Sequence, residues 1–213
     1  MIKIFTATVG SYATNCYILV DDATDEAAAV DCGVFDDVYR EMLREAGVRK
    51  LRYILLTHGH FDHVCGVADL KDACGGEICV SEEDAVCLTD EKHSLNYYTR
   101  FGIQRPAPPD RILRDGDIIA LGETALRVMA TPGHTKGSVC YLTDNVIFTG
   151  DTLFRLSMGR TDMPGGSTRQ LFKSLRAIGE LPGNADIFPG HGEKTTLLYE
   201  KRNNFYLRQQ ENY

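Results

Sequence analysis

Residues 51–63 read LRYILLTHGHFDH. The first six, 51–56, are mostly apolar and have the length of a buried strand. Directly after them come His58, His60, Asp62 and His63, so three of the chain's six histidines fall within six residues. In extended chain, residues i and i+2 point to one side, and the rings of His58 and His60 can therefore reach one ion. Gly59 between them lets the backbone approach closely and turn. Beyond His60 the chain turns, so Asp62 and His63 can face a neighbouring point.

The same junction recurs further along. His134 closes Thr131-Pro-Gly-His134, Asp151 closes Thr149-Gly-Asp151, and His191 lies in Pro189-Gly-His191-Gly. Each follows a segment that reads as a strand, at 125–130, 146–149 and 186–188. Five histidines and two aspartates thus sit at strand-to-loop junctions. Imidazole and carboxylate donors of this kind suit zinc, iron or manganese.

Around these junctions, 2–8, 15–20, 26–31, 78–80, 117–121 and 138–142 also read as strands. Residues 36–46 carry Val38, Met42, Leu43 and Ala46 near the 3.6-residue period and predict a helix that Gly47 stops. Further helices are expected over 67–73, briefly after Ser81, from Ser167, where Ser-Thr-Arg-Gln170 matches a capping box, and from Leu197. Residues 89–109 hold Tyr97, Tyr98, Phe101 and three prolines with no period, and read as an irregular, lid-like excursion. The element order predicts two sheets packed face to face with helices outside.

Composition narrows the function. With 213 residues, 43% hydrophobic and 25% charged, the chain is expected to form one folded domain over 1–213. A net charge of −7 argues against a nucleic-acid partner. No apolar run approaches the ~20 residues that span a bilayer, so no membrane association is expected. The seven cysteines are scattered without a Cys-x-x-Cys pair and read as buried free thiols, which fits a cytoplasmic protein.

Taken together, His58-x-His60-x-Asp62-His63, Thr131-Pro-Gly-His134-Thr135, Thr149-Gly-Asp151-Thr-Leu-Phe154 and Pro189-Gly-His191-Gly resemble the metallo-β-lactamase superfamily. Within it the chain looks most like the glyoxalase II (hydroxyacylglutathione hydrolase) group, and Gly159-Arg160-Thr161-Asp162 with Pro164-Gly165-Gly166 resembles its short members. The resemblance implies an α/β, four-layer αβ/βα sandwich with the metals at one edge of two packed mixed sheets. It implies two divalent ions, zinc first and iron or manganese as alternatives. His58, His60 and His134 would hold one, Asp62, His63 and His191 the other, and Asp151 would bridge them. The implied activity is hydrolysis of a thioester, such as S-lactoylglutathione or a related hydroxyacyl thioester, by metal-bound hydroxide. Asp62 and Asp151 would be its catalytic carboxylates, and Arg160 would contact an anionic group of a small-molecule substrate. The bridging carboxylate disfavours β-lactam hydrolysis. The rival reading is a mononuclear iron persulfide dioxygenase using His58, His134 and Asp151. The 22 residues after His191 leave room for about one helix and not for the family's helical glutathione-binding domain. A monomer or homodimer is expected. Cys65, close to His63, reads as a small buried residue and His93 as a solvated one. Tyr97, Tyr98, Phe101 and Arg105 are candidates for a pocket wall or a dimer contact.

Overall fold

A computed structural model of the chain describes residues 2–208. In the first sheet, β1 (Ile2–Val9), β2 (Thr14–Asp21) and β3 (Ala27–Val30) run antiparallel in sequence order. β4 (Tyr53–Leu55), β5 (Glu77–Ser81) and β6 (Arg111–Leu113) continue it in parallel. Parallel neighbours need crossovers. These are α1 (Asp37–Glu45), then α2 (Phe61–Val64) with α3 (Val67–Cys74), then a 3-10 turn (Ala85–Leu88) with α4 (Asn96–Thr99). The second sheet begins with the meander β7 (Ile118–Leu121), β8 (Thr124–Ala130), β9 (Val139–Leu142) and β10 (Val146–Gly150). A small hairpin, β11 (Leu153–Phe154) and β12 (Ser157–Met158), and the helix α5 (Thr168–Glu180) follow. β13 (Asp186–Pro189) then lies parallel to β10 and pairs on its other side with β14 (Thr195–Thr196). α6 (Leu197–Asn203) and α7 (Phe205–Arg208) end the described chain. Among the described residues, no helix is long and apolar enough to cross a membrane.

The two-residue period of the strands builds four layers. Tyr53 and Leu55 of β4 point to the inter-sheet core with Leu126, Val128, Tyr141 and Phe148, while Ile54 between them points outward. There Ile54 packs with Tyr39, Met42 and Leu43 of α1 and Leu70 of α3. In the second sheet Val146 and Phe148 face inward, and Ile147 faces outward to Leu171, Leu175 and Ile178 of α5. Strands covered on both faces carry near-continuous apolar runs, which is why β2 to β5 and β9 and β10 lack hydrophobic alternation in sequence. The expected sandwich of two mixed sheets between helices is therefore the observed one.

Helix signals act largely as expected. The Asp36 side chain accepts from Tyr39 N at 3.0 Å and starts α1. Ser167 Oγ accepts from Gln170 N at 3.3 Å and starts α5. The capping box is only half formed, because the Ser167 N–H donates instead to Gly133 O at 2.8 Å, tying the helix start to the His134 loop. β6, β11, β12, β14, α2 and α4 escape the sequence reading. Each spans two to four residues, too few to display a period. All seven cysteines are buried and unpaired.

Candidate metal centre

Every candidate ligand sits just beyond the C-terminal end of a strand: the His58–His63 segment after β4, His134 after β8, Asp151 after β10 and His191 after β13. β4 and β10 belong to different sheets, so the face-to-face packing brings the groups to one edge of the sandwich. There the donors converge in overlapping sets: His58, His60 and His134; His58, His63 and Asp151; and Asp62, His63 and His191. Within each set the ligand atoms lie within 4.8 Å of one another.

Ring orientation follows from the outer hydrogen bonds. Thr57 Oγ1 donates to Asp31 Oδ2 at 2.8 Å, so its lone pairs accept from His58 Nδ1–H at 3.1 Å. His58 Nε2 is then an unprotonated base, buried and without a hydrogen-bond partner. His63 Nδ1–H donates to Asp31 Oδ2 at 2.8 Å, His134 Nδ1–H to the Arg160 carbonyl at 2.8 Å, and His191 Nδ1–H to the Ala13 carbonyl at 3.4 Å. All four rings thereby turn Nε2 toward the centre. His60 instead turns Nδ1 inward, 2.8 Å from His134 Nε2.

Asp151 lies between the two groups. Its Oδ2 is 3.5 Å from both His134 Nε2 and His191 Nε2, and its Oδ1 is 3.4 Å from His63 Nε2 without forming a hydrogen bond. Asp62 Oδ2 accepts from Thr14 Oγ1 at 3.3 Å and lies 3.3 Å from His191 Nε2. Gly190 backs this arrangement: a Cβ there would stand 2.2 Å from Asp151 Oδ1 and 2.8 Å from His63 Cε1. Burial holds His58 well below the usual histidine range and His60 down to about 3, with neighbouring histidines adding to the effect. Burial also acts against charge on His191, but the Asp151 and Asp62 carboxylates outweigh it and push the ring up to about 9. Burial raises Asp151, yet His63, His191 and His134 outweigh it and hold the carboxyl well below its ordinary range. The uncharged rings of His58 and His60 beside ionised Asp151, with His58 Nε2 and Asp151 Oδ1 buried and unpartnered, form a donor set that fits divalent cations.

Two carboxylates that organise the site were not anticipated from the sequence. Asp31, at the end of β3 with φ +58°, accepts from Thr57 N, Thr57 Oγ1 and His63 Nδ1, each at 2.8 Å. Its signal was available, since it is one more acidic residue at a strand end. Asp84 had none, because Glu82-Glu83-Asp84 reads as a solvated acidic run. In the fold Asp84 is buried and accepts from Gly59 N at 2.8 Å, Thr135 Oγ1 at 2.7 Å and Gly137 N at 3.0 Å. It joins the His58–His60 loop to the His134 loop. Gly59 serves close approach here and has no left-handed φ: a Cβ would meet Cys87 Cβ at 2.6 Å.

The other candidates separate. The Arg160 guanidinium is exposed and pairs with both Asp162 oxygens at 2.7 and 2.8 Å, while its backbone carbonyl orients His134. A cavity of about 790 Å³ opens beside His60, and Lys92, His93, Leu95 and Tyr98 of the 89–109 segment form one wall of it. His93 is exposed there and paired with Asp90 at 3.0 Å. Tyr97 meets Tyr98 edge to face, and Phe101 packs on Phe61 and Tyr12. Arg105 is not in the wall, since Asp69 and Asp72 hold it on the surface of α3. Cys65 packs with Phe61 and Leu95, and burial pushes its thiol up to about 12.

Comparison with known proteins agrees with this fold. A relative from Haemophilus influenzae named hydroxyacylglutathione hydrolase GloC is 35% identical over 206 residues, covering 93% of this chain and 95% of its own. Among solved structures, BLEG-1 B3 metallo-β-lactamase superposes with a TM-score of 0.88 at 32% identity, covering 97% of this chain and 99% of the other. TTHA1623, crystallised in a di-iron-bound form, gives 0.83 at 32% identity over 95% and 99%. The family model described as the metallo-β-lactamase superfamily matches residues 9–191, and the chain belongs to that superfamily.

Proposed function

We propose that this protein is a binuclear metal-dependent thioester hydrolase of the glyoxalase II type. The observation that carries the reading is the inward turn of four Nε2 atoms and His60 Nδ1 around Asp151, with His58 Nε2 and Asp151 Oδ1 buried and unpartnered. His58, His60 and His134 would hold one ion, Asp62, His63 and His191 the second, and Asp151 both. A pair of divalent ions held there, zinc or iron, would supply a nucleophile at neutral pH and Lewis acidity toward a carbonyl oxygen. Asp151, between the two ligand groups, would offset the like charge of the two ions. Asp62, fixed by Thr14, holds its position and lies where it can pass a proton. Thiolate is a good leaving group, so the chain needs no separate general acid. Arg160 is the proposed contact for a substrate carboxylate. Its pair with Asp162 is exposed and screened by solvent, so it exchanges readily.

The GloC relative supports the thioester class. The test is metal content by elemental mass spectrometry on protein purified without added metal, followed by a thioester panel that includes S-lactoylglutathione. About two equivalents of zinc, iron or a mixture are expected, with thioester turnover, and Asp151→Ala is expected to lose both. A single equivalent of iron with oxygen uptake on a persulfide would replace this reading with the dioxygenase one. Preferred turnover of a cephalosporin, tested because of the BLEG-1 likeness, would replace it with β-lactam hydrolysis.

A further inference from the structure

The cavity beside His60 adjoins a second one. Lys136 and Gly165 line both, and the second, about 460 Å³, adds Gly166, Arg169 and Lys173. Its charge is unusual for this chain. The protein carries a net charge of −7, and many of its basic side chains are paired: Lys3 with Asp22, Lys71 with Asp110, Arg105 with Asp69, Arg160 with Asp162. Lys136, Arg169 and Lys173 have no ion-pair partner among the described residues, and no carboxylate lines the second cavity, whereas Glu83 and Asp84 line the first. Three cations facing one concavity repel one another, and they favour an anion of more than one charge. The connecting cavity is different in character, with Val86, Leu95, Tyr98 and Met163 supplying apolar walls from His60 toward Lys136. The two adjoining cavities therefore offer the candidate metal edge at His60, an apolar stretch and a polycationic end.

We propose, resting on the thioester-hydrolase reading, that the preferred substrate is a thioester whose thiol carries a phosphate. The chemistry is that of phosphopantetheine, with the thioester carbonyl at the His60 edge, the arm along the apolar cavity and the phosphate at Lys136, Arg169 and Lys173. The phosphate carries nearly two charges as the free monoester, two across the pyrophosphate of coenzyme A and one as the diester of a carrier protein; in each form it presents several acceptor oxygens, which suits the guanidinium and two ammonium donors that line the pocket. Glutathione, with single carboxylates and an ammonium group, would leave much of this charge unmatched.

The metal-loaded protein as purified is tested in two ways. Calorimetric binding compares 4′-phosphopantetheine with pantetheine, which differ by the phosphate alone; at least tenfold tighter binding of the first is expected. Hydrolysis compares one hydroxyacyl group on coenzyme A, on holo-acyl carrier protein and on pantetheine. The coenzyme A and carrier-protein arms distinguish the two sources of the arm. The ratio of kcat/KM for the better phosphorylated thioester to that for the pantetheine thioester is expected to exceed ten. In Arg169→Gln/Lys173→Gln, two exposed positions, this ratio and the binding preference are expected to fall at least tenfold. Equal binding of the two pantetheine forms overturns the proposal, and so does a preference that the double variant leaves intact. Turnover of the pantetheine thioester without phosphate preference sinks this proposal and spares the hydrolase reading. Absence of turnover on every thioester sinks the hydrolase reading, while the binding comparison still decides the phosphate site.

Discussion

Asp84 offers the sharpest test of how the site is held together. Its carboxylate is buried and accepts from Gly59 N, Gly137 N and Thr135 Oγ1. In Asp84→Ala, Thr135 keeps a hydroxyl partner in Ser138 Oγ at 2.7 Å, so its loss is small. Gly59 and Gly137 are left with buried N–H groups and no acceptor. At ~1–3 kcal/mol for each buried donor left unsatisfied, the cost is about 2–6 kcal/mol. Relief of the buried carboxylate works the other way, since burial pushes the Asp84 carboxyl above its ordinary range despite those three donors. The net expectation lies toward the lower half of that span. Urea unfolding of wild type and variant, each stripped of metal, measures it directly. The damage should be focused on the His58–His60 and His134 loops, so amide exchange is expected to accelerate at Gly59 and Gly137 before it does in the inter-sheet core. A variant within 0.5 kcal/mol of wild type, with unchanged exchange at both glycines, would refute the view that Asp84 clamps the two loops.

Two further outcomes follow from the outer hydrogen bonds. Asp31→Asn removes the charged acceptor that orients His63 and, through Thr57, His58; metal retention against a chelator is expected to weaken ~10–100-fold, and unchanged retention would show that the rings are held otherwise. Asp21 links the sheets by accepting from Thr124 Oγ1 at 2.8 Å; that bond, with help from Thr24 and nearby backbone amides against an opposing burial effect, lowers its carboxyl from 3.8 to about 2. The sign is that of a depressed acid, so its stabilisation is present above pH 3.8 and is lost as pH falls toward 2. Unfolding midpoints between these limits should fall more steeply for wild type than for Asp21→Asn, and parallel curves would contradict the assignment.

Much of the fold and the candidate ligand set could be read from the chain itself, because the relevant signals are local. A buried strand announces itself as an apolar run, a helix by its period and cap, and a strand-end ligand by histidine or aspartate beside glycine. The segment 51–63 contained a strand, a turn and four donors without reference to any other part of the molecule. What tertiary structure decided is everything that depends on two distant segments meeting. Asp84 is a surface-type acid by its neighbours in sequence and a buried clamp because Gly59 and Gly137 arrive from opposite sheets. The half-formed capping box at Ser167 shows the same rule, since Gly133, 34 positions earlier, takes the N–H that the local pattern assigned to Gln170. Arg105 joins Asp69 and Asp72, and β6 exists only because β5 offers it a parallel edge. Periodicity and capping are encoded within a few residues, whereas a buried polar group is satisfied by whatever partner the packing delivers.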